Sequence, residues 1–204
     1  MLDFDGVIAD SLEPTVAAAN AVLEEHGFAH LASRDAMLRL VESNWFEGLR
    51  QAGVPQQTAD DIDDRVAGAV QAGQLAPYAA MPGVIARLAE RHHVLIVTSN
   101  RSDIVEAFLA HWAIPGVREV LGGDKGQSKV PKIRAAVRRF AEETAGRPPE
   151  SWFVGDTVGD MVEGREAGVG TIAAAWGWHT AAQLAGAAPD HLAVSPADLL
   201  TLLL

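Results

Sequence analysis

Residues 3–10 read Asp3-Phe4-Asp5-Gly6-Val7-Ile8-Ala9-Asp10, and two carboxylates one residue apart, followed by glycine, are an unusual way to end a strand. Alternate strand residues share a face, so Asp3 and Asp5 would press like charges together. Burying that pair calls for a cation. Three readings fit the stretch taken by itself. Asp and Gly are ordinary turn formers, which makes a solvated acidic turn the plainest of them. A calcium loop needs oxygen ligands at alternate positions and a closing glutamate, where this chain carries Val7, Ile8 and Ala9. The third is a nucleophilic carboxylate beside a general acid, held by magnesium, and it needs partners from later in the chain.

The 204 residues, 49% hydrophobic and 21% charged, suffice for one good core or for a core with a small second domain. A net charge of -11 argues against nucleic-acid and anionic-membrane partners, although a metal and a lysine can reverse the field locally around a phosphate. The absence of cysteine removes disulfides, thiolate metal sites and cysteine nucleophiles. No run approaches ~18 apolar residues and no basic-then-apolar leader opens the chain, so the expectation is a soluble cytoplasmic protein.

Only Met1 and Leu2 precede Asp3, so the first strand is very short for a central element, which points to a start upstream or to a few missing residues. Helices are expected over 13–26, 33–42, 44–52 and 58–72, with no strand between residues 12 and 80. The acidic cluster Asp60, Asp61, Asp63 and Asp64 reads as a solvated helix face. Beyond Met81-Pro82-Gly83 the pattern alternates. A helix over 84–91 leads to a buried parallel strand over 94–97, Ser102 is placed to cap a helix to about residue 112, and Val120-Leu121 suggests another strand. A basic helix from Pro131 to about residue 144, a break at Arg147-Pro148-Pro149, a strand over 152–154, a helix opened near Asp160, strands over 171–175 and 191–194, and a final helix from Pro196 complete the reading. Strands alternating with helices imply a doubly wound α/β parallel sheet, and the long helical insertion implies a separate cap. The expected division is a core of 1–11 and 82–204 with a helical cap of 12–81.

Each notable polar cluster follows a short apolar run: Asp3 and Asp5, then Thr98, Ser99 and Asn100, then Asp156 and Asp160. Ligands of doubly wound sheets bind beyond the carboxyl ends of the strands. Four carboxylates converging there would have raised pKa values unless a divalent cation compensated, and hard oxygen donors favour Mg2+ over zinc. Asp156 supplies a further metal ligand. Asp160, one turn on, returns to the same side, to a metal-bound water or to Lys129. Thr98 and the backbone N–H groups after it suit a phosphoryl oxygen, and equally a simple cap. Lys129 is preferred over Lys125 and Lys132 as the neutralising cation because it directly precedes a helix in a glycine-rich connection. His26 and His30 have the spacing of a helical metal pair but are separated by Gly27, His92-His93 suit a helix C-terminus, and Asn44-Trp45-Phe46 is a cap segment suited to substrate choice or to packing.

Asp3-Phe4-Asp5-Gly6-Val7, Thr98-Ser99-Asn100, Ser128-Lys129-Val130-Pro131 and Gly155-Asp156-Thr157-Val158-Gly159-Asp160 resemble, in order, the four motifs of the haloacid dehalogenase superfamily. The insertion between the first two resembles the small helical cap of its phosphoglycolate phosphatase-like branch, and residues 170–179 and 195–200 resemble that branch's tail. Two departures are the truncated first strand and Lys-Val-Pro where Lys-Pro is commoner.

The resemblance implies a Mg2+-dependent phosphatase acting on a small phosphomonoester, phosphoglycolate-like or a sugar phosphate. Asp3 would be the nucleophile that forms an aspartyl-phosphate, and Asp5 the acid and then the base. The metal would be held by the Asp3 carboxylate, the Asp5 backbone carbonyl and the Asp156 carboxylate. Thr98, Ser99, Asn100 and Lys129 would hold the transferring group. Dehalogenases of the superfamily generally lack a carboxylate where Asp5 stands. Sugar-phosphate mutases carry a histidine ten residues after the acid/base aspartate, where this chain has Thr15. A receiver-like module that accepts phosphate without turnover would be shorter and would lack the helical insertion.

Overall fold

The computed structural model describes residues 1–42, 44–71, 73–144 and 150–204, with the side chains of 69–71 left out. The break expected at Arg147-Pro148-Pro149 and the last residue of the helix expected over 58–72 lie outside them. Among the described residues five strands run parallel: β1 (Val94–Val97), β2 (Val117–Leu121), β3 (Trp152–Gly155), β4 (Gly170–Ala174) and β5 (His191–Ala193). β1 pairs with β2, and β3–β4–β5 form the other half. Met1–Asp3 joins the halves, with Leu2 bridged in parallel to both Ile96 and Val154. The Leu2 N–H donates to Leu95 O at 2.8 Å, the Asp3 N–H to Val154 O at 2.8 Å, and the Val97 N–H to Leu2 O at 2.9 Å. The very short first strand therefore occupies the middle of the sheet. From it the chain winds one way to β1 and β2 and then the other way to β3, β4 and β5. Its carboxyl end, where Asp3 lies, is the switch point at which such sheets open a crevice.

The apolar runs explain the strands. Val94, Leu95, Ile96 and Val97 are all buried, as a β-branched run covered on both faces should be. Around the sheet lie α5 (Met81–Ala89), α6 (Ser102–His111), α7 (Lys129–Glu143), α8 (Val158–Ala167), α9 (Ala181–Gly186) and α10 (Asp198–Leu203). Between the first motif and α5 come α1 (Leu12–Glu25), α2 (Arg34–Leu40), α3 (Trp45–Gln51) and α4 (Gln56–Gln71), with no strand among the described residues of that stretch. These four helices share their own apolar cluster, which includes Val16, Leu23, Met37, Leu49 and Ile62. A second cluster, which includes Phe4, Ile85, Ile96, Phe108 and Val154, fills the sheet layer. No helix among the described residues is long and apolar enough to cross a membrane.

Several local expectations are corrected. Ser102 is the first residue of α6 and not its cap, because its hydroxyl accepts the Gly122 N–H at 3.1 Å and ties the loop after β2 to the helix start. Lys129 is the first residue of α7, capped by Ser128, whose Oγ accepts from the Val130 N–H. β2 begins three residues before Val120. α9 is a helix additional to those expected, opened by a reciprocal capping box of Thr180 and Gln183. His92, by contrast, meets the expectation of a helix C-terminus: it binds the Leu203 carbonyl at the end of α10 at 2.8 Å.

Phe4 and Phe108 meet edge to face at 5.0 Å and 85°, both buried, between the first motif and α6. Phe108→Ala is expected to lower the unfolding free energy by about 3–5 kcal/mol, measured by urea denaturation. A loss below about 1 kcal/mol, the range of ordinary surface changes, would contradict this packing.

Candidate active site

The floor of the site is built from strand ends. Asp3 follows the Leu2 bridge, and Asp156 follows β3. Asp160 stands at the third position of α8, where it completes a capping box with Thr157. Asp156 is 0% exposed, Asp160 1%, Asp3 6% and Lys129 5%. The Lys129 Nζ donates at 2.5 Å to Asp3 Oδ2 and at 2.5 Å to Asp160 Oδ1. Asp3 Oδ1 accepts the Phe4 N–H at 2.7 Å. Asp160 Oδ2 accepts from Asp156 N, Thr157 N and Thr157 Oγ1. Asp156 Oδ2 takes the Trp178 N–H at 2.7 Å, while its Oδ1 is buried with no partner. Asp5 Oδ2 accepts from Asn100 Nδ2 at 3.2 Å, and its Oδ1 is likewise buried and unpartnered.

One ammonium cannot neutralise these carboxylates together. Burial pushes the Asp3 carboxyl up to about 7; Lys129 opposes the shift and the negative Asp160 adds to it. Burial, then Asp160 and Asp3, pushes Asp156 well above the usual carboxylate range. Burial acts on Asp160 too, but Lys129 and the Thr157 donors outweigh it and hold that carboxyl low. Burial likewise raises Asp5. For Lys129, burial opposes the charge and is overcome by Asp160 and Asp3, so its ammonium persists.

Asp3, Asp156 and Asp160 each offer an oxygen, all within 4.8 Å of one another. An all-oxygen set, crowded negative charge and the bare Asp156 Oδ1 fit a hard divalent cation. Gly6 makes the crowding possible: its φ is +73°, and a Cβ there would lie 1.9 Å from Asp156 Oδ2.

Thr98, Ser99 and Asn100 line the same cavity, a space of about 90 Å³. Thr98 Oγ1 accepts the Asn100 N–H at 3.0 Å, which shapes the turn after β1. The competing lysines are engaged elsewhere. Lys125 donates to Val120 O, and Lys132 donates to Thr98 O and Gly122 O. Burial, then the charge of Lys129, brings Lys132 down to about 8. His26 binds Asp61 at 3.0 Å and Thr58 at 3.2 Å and forms no pair with His30.

The cap forms the roof. Asn44 and Trp45 line the cavity, whereas Phe46 lies against the Gly123 side of the loop after β2. The reading of the acidic cluster as a solvated face holds for Asp60 and Asp64 and fails for Asp63, which is only partly exposed and lines the cavity. Burial pushes Asp63 up to about 7 despite a hydrogen bond from Trp45; Asp5 is the largest charge contribution. Its spacing was the available signal: position 63 falls four after Ala59 and three before Val66, on the helix's buried stripe. His179 is 1% exposed. Its Nδ1 accepts the Val158 N–H at 3.0 Å, which leaves Nε2 to donate to Leu38 O of the cap at 3.2 Å.

The model of the haloacid dehalogenase-like hydrolases matches residues 1–174. A phosphoglycolate phosphatase of Synechococcus elongatus is 31% identical over 206 residues, covering 98% of this chain and 94% of its own. One of Aquifex aeolicus is 29% identical over 130 residues, 62% of this chain and 59% of its own. Among solved structures, a hydrolase of Pseudomonas syringae superposes with a TM-score of 0.77 at 18% identity, covering 99% of this chain and 95% of its own. A haloacid dehalogenase-like family protein of Streptococcus pneumoniae gives 0.71 at 18%, covering 98% and 95%. At such identity the structures speak for the fold alone. Motif order, the gathered carboxylates and a family match across most of the chain agree: the chain belongs to the haloacid dehalogenase-like hydrolase family.

Proposed function

We propose that the chain is a Mg2+-dependent phosphatase that hydrolyses a small phosphomonoester through an aspartyl-phosphate on Asp3. The observation that carries this reading is the Lys129 ammonium shared between Asp3 and Asp160, beside the unpartnered Asp156 oxygen. Mg2+ would be held by the Asp3 and Asp156 carboxylates and the Asp5 backbone carbonyl, with Asp160 adjoining. Bound there, it would offset the crowded negative charge and polarise the phosphoryl group.

An Asp3 oxygen attacks phosphorus, and the bond from phosphorus to the substrate's ester oxygen breaks. Asp5, whose carboxyl burial raises, is suited to carry the proton that this alkoxide takes. Asp5 then removes a proton from water, the water oxygen bonds to phosphorus, and the bond from Asp3 to phosphorus breaks. Lys129, Thr98 and the turn through Ser99 and Asn100 hold the transferring oxygens. The division into a core of 1–11 and 82–204 and a cap of 12–81 is supported by the separate cluster that most of the cap's apolar residues form, although Ala67 and Leu75 pack with the sheet cluster, and the cavity is lined by residues of both parts. The partner is a small molecule, either phosphoglycolate, after which the curated relatives are named, or a sugar phosphate. Thr15 lines the cavity with a hydroxyl that does not titrate, which favours hydrolysis over a mutase reaction.

An assay over a panel of small phosphomonoesters tests the reading. Turnover is expected to vanish on chelation and return with Mg2+. Asp3→Asn should cost at least ~10³-fold in kcat, and Asp5→Asn ~10²–10⁴-fold. Unchanged turnover in Asp3→Asn would remove the nucleophile, and a single phosphate taken up per chain without release would favour a regulatory module.

A further inference from the structure

Between the phosphoryl site and the cap, the cavity is lined by Thr15, Trp45, Ile62, Asp63, Val66 and Trp178. None of these is a cation. Among the described residues that line the cavity, Lys129 alone carries positive charge, and it is engaged by Asp3 and Asp160. Of the arginines of the cap and its margin, Arg34 pairs with Glu13, Arg50 with Glu47, Arg65 with Glu25, and Arg101 with Asp64 and Asp103, while Arg39 is exposed and does not line the cavity. The acidic group that the roof presents is Asp63, partly exposed on the cavity wall. Thr15 is 8% exposed, and its hydroxyl has no protein partner, nor does the buried indole N–H of Trp178. Such atoms lose their hydration on folding and regain it only from a ligand or from water.

We propose that this cap lining selects a leaving alcohol that is uncharged and hydroxylated, held by Thr15 and Asp63 against the two tryptophans, and rejects one that carries a carboxylate. The proposal rests on the phosphatase reading and names its substrate class. A carboxylate bound here would be desolvated beside Asp63 with no cation to pair it, which is the costly case for a buried charge. A hydroxyl donates to Asp63 and exchanges hydrogen bonds with Thr15, while its carbon skeleton packs on Ile62, Val66 and the indoles. The inference departs from the substrate named for the curated relatives. Those share only about a third of their residues with this chain.

Two matched pairs of esters isolate the charge: phosphoglycolate against 2-hydroxyethyl phosphate, and 3-phosphoglycerate against glycerol 3-phosphate. In each pair a carboxylate replaces a hydroxymethyl group. The wild type is expected to favour the uncharged member at least ~10-fold in kcat/KM, on the scale of one lost polar contact. Asp63→Asn should narrow that ratio, and Asp63→Lys should narrow it further or reverse it. Preference for the carboxylate members, or a ratio that neither variant moves, would overturn the proposal. Turnover of 4-nitrophenyl phosphate reports the phosphatase reading separately. Equilibrium binding of the same pairs to the Asp3→Asn chain reads the selection without turnover: tighter binding of the uncharged members supports the proposal, and equal or reversed affinities sink it.

Discussion

A single buried ammonium, that of Lys129, is asked to balance Asp3 and Asp160 while Asp156 lies beside them with an oxygen bonded to nothing. Charges so deprived of water are costly unless fully paired, and one lysine cannot pair them all. The arrangement is therefore unfinished as protein alone. It makes sense as a cradle for a divalent ion and a phosphoryl group, which would supply the missing positive charge and then the group to be transferred.

The fold serves that cradle. Met1–Asp3 is too short to be a strand of any length, yet its hydrogen bonds to β1 and β3 hold Asp3 where the strand order reverses. Gly6 lets the turn close onto Asp156, since a side chain there would meet that carboxylate. Glu163 of α8 accepts from the Lys129 N–H at 2.8 Å and from Ser128 Oγ, and so fixes the start of α7 from which the lysine reaches inward. The cap is tied to this frame through His179, which spans from the Val158 N–H to Leu38 of α2. Most apolar residues of the four helices after the first motif form one cluster and those around the sheet another, which Ala67 and Leu75 join.

Much of this was legible because the four motifs each end a short apolar run or open a helix, and a parallel sheet gathers such places at one edge. Helix positions in the cap followed from periodicity and terminal residues in the same way. Less legible were features decided by tertiary contacts. Ser102 has the chemistry of a cap but spends its hydroxyl on Gly122, and the start of β2 at Val117 depends on pairing with β1, which its own mixed residues do not announce. Asp63 is hidden in the sequence because four aspartates in five positions resemble a solvated face. One of them still falls on the buried stripe of a helix and so lines the cavity. Lys129 reads in the sequence as lying just before a helix, whereas it is the first residue of α7; Lys125 and Lys132 spend their ammonium groups on backbone carbonyls, which no sequence pattern announces.

The central claim is that the gathered carboxylates form one divalent-ion site with Asp156 as a principal ligand. Calorimetric titration of the metal-free chain with Mg2+, alongside Asp156→Asn, measures this directly. The account predicts one ion per chain in the wild type and an affinity at least ~10-fold weaker in the variant, the scale on which losing even a supporting group of a metal site is felt. Equal affinity in the two proteins, or no binding in either, would contradict it.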